Sequence, residues 1–289
     1  MAELKAPAVS EGTGGHWYTR EGAPAYAVAK KDGSGERPTT LRDAKKLGLL
    51  PSVTTVLGIL DKPQLTTWKV KTAIRAALDV ARADGEELEA WVDRVVERAG
   101  EPVAEAADLG AKIHDAIEVA CRGEAWDSVA LGAYVAPVLG WILGKLGQGG
   151  RIVAQESVIA NAAYGFAGRV DCVIEMPDGT VWIVDWKSRK TRAGETDAQA
   201  FAPYATHRLQ AAAYGAEWAL SQGPGKPGRG WAKVRCANVF TSSTEPGRFG
   251  VVVHDDPEAA WEAFKATLEV WRWTKGYDPR QAPAKEAEA

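Results

Sequence analysis

The sequence predicts a fold of the mixed α/β class, and three observations carry that prediction. Up to about residue 148 apolar side chains recur at helical spacing in long runs. From residue 151 the period changes, and short Val- and Ile-rich runs take over: RIVAQESVIA, GRVDCVIEM and TVWIVDWKS. After them comes a helix, then two more strand-like runs, then a last helix, with no internal repeat. The chain has 289 residues, which suits one elaborated domain or two modest ones.

The elements follow in order. Residues 1–50 form an N-terminal extension, in which His16-Trp17-Tyr18 and Tyr26-Ala27-Val28 flank Gly22-Ala23-Pro24 as a short hairpin. Residues 51–148 are helical. Ser52 follows Pro51 and caps a short helix in SVTTVLGIL. A helix runs from Pro63 to about Ala83, with Leu65, Trp68, Ala73, Ala76, Ala77 and Val80 on its apolar side. Helices are expected at 86–99 and at 102–121, stopped by Gly123, and an apolar one at 128–146. Residues 149–277 hold the strands at 151–160, 168–176 and 180–188 and a helix at 203–221. KVRCANVFTS and RFGVVVHD then form a strand pair, and Asp256 caps a helix ending near Lys275. Residues 278–289 read as a flexible tail. GPGKPGRG (223–230) is a loop and not a phosphate-binding one: no strand precedes it and no Ser or Thr follows Lys226.

Composition narrows the class. With 46% apolar and 25% charged residues, the chain is neither wholly disordered nor collagen-like. No uninterrupted apolar run of membrane-spanning length occurs, so no transmembrane helix and no membrane partner are expected. MAELKAPAVSEGTGG has no apolar stretch of the kind a secretory signal needs. Cys121, Cys172 and Cys236 are odd in number and far apart, which excludes a disulfide framework and a four-cysteine zinc or iron–sulfur site from this chain alone. A cytoplasmic, reducing setting is expected.

Net charge is −3, without the basic excess usual in nucleic-acid binders. The distribution says more. Residues 81–130 carry 13 acidic and 5 basic side chains, whereas 185–235 carry 4 acidic and 9 basic. A local basic face can contact phosphates within an acidic protein, because screening limits charge to about 10 Å. Solvated surface is the plainer account of both stretches.

The segment 168–188 carries the most chemistry. A three-residue Pro177-Asp178-Gly179 turn pairs residues whose numbers sum to 356 and sets Asp171 opposite Asp185. A two-residue Asp178-Gly179 turn sets Asp171 opposite Trp186 instead. Pro177 suits the first position of a type I turn and Gly179 the left-handed one, which favours the longer turn. Two carboxylates and the Lys187 ammonium then share one face. Such carboxylates repel at low dielectric, and a hard divalent cation, Mg²⁺ or Mn²⁺, relieves them. An exposed hairpin with an Asp–Lys surface pair is the plainer reading of D-x-K alone. Further along, His114 and Glu118 stand four apart on one helix, as do Gln210 and Tyr214 on another. Each pair alone is more often structural. Trp68, Trp182 and Trp186 lie near enough to these motifs to be base-stacking candidates.

Taken in order, His114, Glu156, G-R-V-D ending at Asp171, D-W-K at 185–187 and Q-A-A-A-Y at 210–214 resemble the RecB-like branch of the PD-(D/E)XK nucleases. PSVTTVLGILDKPQLTTW (51–68) resembles the upstream segment of phage exonucleases related to the mitochondrial genome maintenance exonuclease. The resemblance covers about 50–221. It implies a central mixed β-sheet flanked by helices, a restriction-endonuclease-like core, and cleavage of DNA phosphodiesters with Mg²⁺ or Mn²⁺. It implies Asp171, Asp185 and Lys187 as catalytic, and His114, Asp171 and Asp185 as metal ligands. Glu156 and Glu118 would stand behind those ligands or hold a second ion. Gln210 and Tyr214 would contact DNA, with Arg189, Lys190, Arg192 and Arg208 as basic neighbours. Single-stranded DNA or duplex ends are the implied substrate, a recombination or single-strand-binding protein an implied partner, and a phage origin with action in host cytoplasm an implied setting. A structure-specific or restriction-type endonuclease and a non-cleaving DNA-end-binding module are the alternatives. If His114 binds metal it must be neutral, so activity should fall at acid pH.

Overall fold

In a computed structural model, residues 15–220 and 227–281 are described. The first 14 residues, half of the Gly/Pro loop (223–226) and most of the C-terminal tail lie outside them. Within them the order is β1 (Trp17–Tyr18), β2 (Ala27–Ala29), β3 (Glu36–Pro38), α1 (Leu41–Leu47), β4 (Leu50–Pro51), α2 (Val53–Leu57), α3 (Pro63–Asp79), α4 (Leu88–Cys121) and α5 (Ser128–Gly147). Then come β5 (Arg151–Asn161), β6 (Phe166–Glu175), β7 (Val181–Arg189), α6 (Asp197–Ala200), α7 (Ala205–Ala219), β8 (Val234–Ser242), β9 (Phe249–His254) and α8 (Pro257–Lys275).

The central sheet has five strands in the order β5-β6-β7-β8-β9. All neighbours are antiparallel except β7 and β8, which run parallel. A parallel pair needs a crossover, and α6 with α7 supplies it. The sheet is therefore mixed and covered on both faces, as the alternation of runs predicts. On one face α2, α7 and α8 bury Val53, Ala212 and Trp271 with Val173, Ile183 and Cys236. On the other, α4 and α5 bury Ile113, Ile117 and Ile142 against Cys172, Val184 and Val239. Burial on both faces is why these strands read as Val/Ile runs rather than strict alternation.

Four expectations need correction. The hairpin at 16–30 is reduced to a bridge between Tyr18 and Pro24. β1 pairs instead with β4, and β2 with β3. Pro24 has no N–H to extend a ladder, and the tight turn from Thr19 to Ala23 closes the chain locally. The helices at 86–99 and 102–121 are one helix, α4, with Pro102 inside it. Proline removes one backbone donor but its fixed φ is helical, and the flanking Glu- and Ala-rich turns carry the helix through. Of the apolar side expected on α3, Ala76 is buried and Ala73, Ala77 and Val80 are half-buried, but Leu65 and Trp68 are exposed. Finally, α5 is long and apolar enough to cross a membrane by length and composition. Residues 128–144 carry no charge, but Ser, Gly and Pro interrupt the apolar run without making it polar. Here Val135, Val138 and Ile142 pack on the sheet.

Two short helices escaped the sequence reading. Thr40 and Asp43 form a reciprocal capping box that opens α1, and Thr196 with Gln199 does so for α6. The expected Ser52 and Asp256 caps are in place on α2 and α8. Residues 278–281, assigned to the tail, are held: Arg20 donates to the Pro279 carbonyl at 2.8 Å.

Candidate active site

The β6–β7 turn decides which side chains meet. The pairs are Cys172 with Val184, Val173 with Ile183, Ile174 with Trp182 and Glu175 with Val181, the longer-turn register. The Met176 N–H donates to Thr180 O at 2.8 Å, and Gly179 takes φ +81°. Asp171 thereby comes level with the Asp185–Trp186 peptide, and its Oδ2 accepts the Trp186 N–H at 2.7 Å. Asp185 is 2% exposed, and Lys187 Nζ lies 2.5 Å from its Oδ2. The surface-pair reading of D-W-K is therefore excluded by burial.

Electrostatics follow from that crowding. Burial pushes the Asp185 carboxyl up to about 6; the Lys187 ammonium opposes the shift and Asp171 adds to it. Burial raises Asp171 as well, against Lys187 and the Trp186 N–H. Burial works to depress Lys187, but the two carboxylates outweigh it and hold it above the usual lysine value. The cluster is thus short of positive charge.

His114 reaches the cluster from the opposite sheet face. α4 passes so close to β7 at Gly110 that a Cβ there would fall 2.6 Å from Ser188 Oγ. One turn later His114 Nδ1 stands 4.0 Å from Asp171 Oδ2. Burial, then the Lys187 charge, push its imidazole down to about 4, so the ring is neutral. Gln155 Nε2 donates to the Glu118 carbonyl at 2.7 Å and ties α4 to β5.

Glu156 lies between Gln155 and Ser157, which pair with Cys172 and Val170 on either side of Asp171. Its φ of +46° is a strained conformation for a non-glycine residue. Arg169 Nε sits 2.8 Å from its carboxylate. Burial, followed by the Asp171 charge, raises Glu156 to about 8 despite Arg169. The Glu118 side chain is turned to Arg122, though its charge acts on both Glu156 and Asp171.

On α7, Gln210 Nε2 donates to the Tyr214 hydroxyl at 3.3 Å. Tyr214 is buried, so of the expected DNA-contacting pair only Gln210 is accessible. The tyrosine ring packs on Gly168 of the G-R-V-D run, where a Cβ would lie 2.6 Å from Cε1. Gly168→Ala is therefore expected to displace Tyr214 and cost about 1–3 kcal/mol of stability, read by chemical denaturation.

The basic stretch 185–235 does not form one face. Arg189 lies 5.1 Å from the Tyr204 ring, and Lys190, Arg192 and Arg208 are exposed. Arg229 and Lys233 instead hold the hairpin turn at the other end of β7, through Glu175 and the Asp178 carbonyl. Because β8 runs parallel to β7, its start lies beside the start of β7, far from Arg189. Trp186 is buried, and Trp182 lies under Lys145, 3.6 Å from its ring centre. Trp68 keeps an exposed ring.

The sequence reading missed a buried polar chain. Asn238 Nδ2 donates to Asp185 Oδ2 at 2.7 Å, and its Oδ1 meets His254 Nε2 at 2.6 Å. The available signal was an asparagine inside the apolar strand VRCANVFTS.

These side chains suit a hard divalent cation: two buried carboxylates that repel each other, and a neutral imidazole. As they stand, no group of three His, Cys, Asp or Glu side chains among the described residues is arranged to hold a metal ion. Oδ2 of Asp185 is engaged by Lys187 and Asn238, and Oδ2 of Asp171 by a backbone N–H.

Residues 71–284 match the sequence profile of the PD-(D/E)XK nuclease superfamily. The chain belongs to that superfamily. A PD-(D/E)XK nuclease cleaves nucleic acid with divalent metal ions, which accords with the carboxylate cluster. No curated protein matches the chain. Among solved structures, the nuclease is similar to one described as "Crystal structure of SSO0001". The identity is 13%, over 71% of this chain and 86% of that one, with a TM-score of 0.29.

Proposed function

We propose that this PD-(D/E)XK nuclease is a Mg²⁺- or Mn²⁺-dependent DNA exonuclease of the RecB-like branch, acting on DNA ends in recombination or repair. The observation that carries it is the clustering of buried Asp185 with half-buried Asp171 and Lys187, Lys187 Nζ lying 2.5 Å from Asp185. A pure binding module has no reason to bury these charges together, since the burial is costly without a cation. The choice of exonuclease rests on the likeness of PSVTTVLGILDKPQLTTW to phage exonucleases.

In this reading Asp171, Asp185 and His114 hold the ion. When bound, it polarises a phosphate oxygen and makes an attacking water more acidic. Asn238 fixes the Asp185 carboxylate by its hydrogen bond, and His254 fixes Asn238. Lys187 donates to oxygens on phosphorus as their negative charge grows, while the water attacks in line and the 3′-oxygen leaves.

End-labelled linear DNA and closed circular DNA, each with Mg²⁺ or with chelator, test the reading. Linear DNA should be degraded and circles spared, with no cleavage in chelator. Cutting of circles makes the protein an endonuclease; binding without any cutting makes it an end-binding module.

The acid limb of activity should belong to the carboxylates. Asp185 takes up a proton as pH falls through about 6, whereas His114 stays neutral to about 4. The fall in activity expected at acid pH from a metal-binding His114 would then start at Asp185 instead. His114→Ala should weaken metal binding by at least the roughly 10–100-fold that loss of a partner behind a ligand costs. The limb near pH 6 should persist in a metal titration of that variant.

A further inference from the structure

Beside the carboxylate cluster a cleft of about 540 Å³ opens between the start of α3 and the start of α7. Its walls include Lys62, Pro63, Leu65, Pro203, Tyr204 and His207. The volume falls within the roughly 300–1,000 Å³ of small-molecule sites. Its distance from the chemistry is short: the His207 ring lies 5.9 Å from Phe240, the cross-strand partner of Lys187.

The walls have a definite character. Tyr204 is 48% exposed, yet its ring is held on two sides. Arg189 lies 5.1 Å from the ring centre, and His207 meets it edge-on at 5.1 Å. Pro203 precedes it and limits the backbone. Leu65 and Pro63 supply apolar surface opposite. His207 Nδ1 is buried without a hydrogen-bond partner among the described residues. Burial, then the Lys187 charge, push this imidazole down to about 3, so it is neutral. Asp61 and Lys62 at the mouth offset each other, which leaves Arg189 as the nearby excess charge. Neither α3 nor α7 has a side-chain cap; α3 opens on Pro63, which has no N–H, and the His207 N–H donates to Tyr204 O, so the N–H groups left to face phosphate oxygens or water at the start of α7 are those of Ala205 and Thr206.

A flat, neutral ligand with a polar edge and an anionic attachment matches these walls. We propose that the cleft receives an unpaired nucleobase of the DNA strand next to the scissile phosphate, stacked on Tyr204. This rests on the DNA nuclease reading and adds to it a requirement for local single-strandedness. A base inside a duplex cannot enter a cleft without leaving its stack.

The test uses the full chain in chelator, so DNA stays intact, and reads binding by fluorescence anisotropy. Oligonucleotides with a single-stranded overhang carry one abasic position, moved along the overhang. One position should weaken wild-type binding about 5- to 150-fold, the range of one base–aromatic stack. Tyr204→Ala should weaken binding to the intact overhang by a similar factor and lose nothing further at that abasic position. Tyr204→Phe should bind as wild type does. Independent, additive losses overturn the proposal, as does a Tyr204→Phe variant as weak as Tyr204→Ala, or the absence of any position-dependent loss. Failure of the nuclease reading shows separately, as no cleavage of any DNA by wild type in Mg²⁺.

Discussion

Lys187→Met should lower DNA hydrolysis in Mg²⁺ by about 10²–10³-fold, the usual cost of one electrostatic contact in a preorganised site. The methionine keeps the length of the side chain and removes only the charge. Lys187 is three-quarters buried and already directed by Asp185, so little reorganisation stands between it and a charged transition state. DNA affinity should change far less, because the charge acts where negative charge is greatest. Single-turnover rates and equilibrium binding, measured on the same linear substrate, separate the two effects. Near wild-type turnover in Lys187→Met would remove Lys187 from the chemistry and leave the catalytic assignment on family membership alone.

Asp171→Asn should abolish metal-dependent turnover and yet stabilise the metal-free protein. The amide oxygen can still accept the Trp186 N–H that Asp171 now takes at 2.7 Å. What disappears is a buried charge beside Asp185 and Glu156. A carboxyl whose pKa is higher folded than unfolded weighs against folding above both values, and the burden vanishes as pH falls below about 4. The gain, on the order of 1 kcal/mol, should therefore be largest near pH 8 and close toward pH 4. Added Mg²⁺ at about 100 times its Kd should stabilise wild type by about 2.7 kcal/mol and the variant by much less. Thermal melts with and without the ion, at pH 8 and pH 4.5, check all three statements. A variant less stable than wild type in chelator at pH 8 would mean that Lys187 already compensates Asp171.

These two expectations were legible because they rest on local geometry. The Pro177-Asp178-Gly179 turn fixes a register, and a register fixes which carboxylates share a face. The same holds for the five main strands and for most of the helices, whose period is plain in the residues. What could not be read depends on contacts between distant segments. Asn238 meets Asp185 only because β8 runs parallel to β7, and His254 follows only because β9 adds to β8. Arg229 and Lys233 counted toward a basic stretch in the sequence, but the same parallel pairing carried them to the far end of the sheet. Tyr214 looked like a DNA contact and proved to be buried against Gly168. The cleft at Tyr204 joins segments some 140 residues apart, and no spacing rule reaches that far.

The unbroken course of α4 has a mechanical consequence. The helix is pinned to the sheet near Gly110, where it approaches Ser188, and its first turns pack chiefly on α3. At 1.5 Å per residue, Leu88 stands about 33 Å from that pivot and His114 about 6 Å. A tilt of about 5° would swing the distal end by about 3 Å while shifting the imidazole by about 0.5 Å. The lever ratio thus favours the ligand end. Any tilt of the outer arm about that pivot therefore costs His114 little of its register on Asp171.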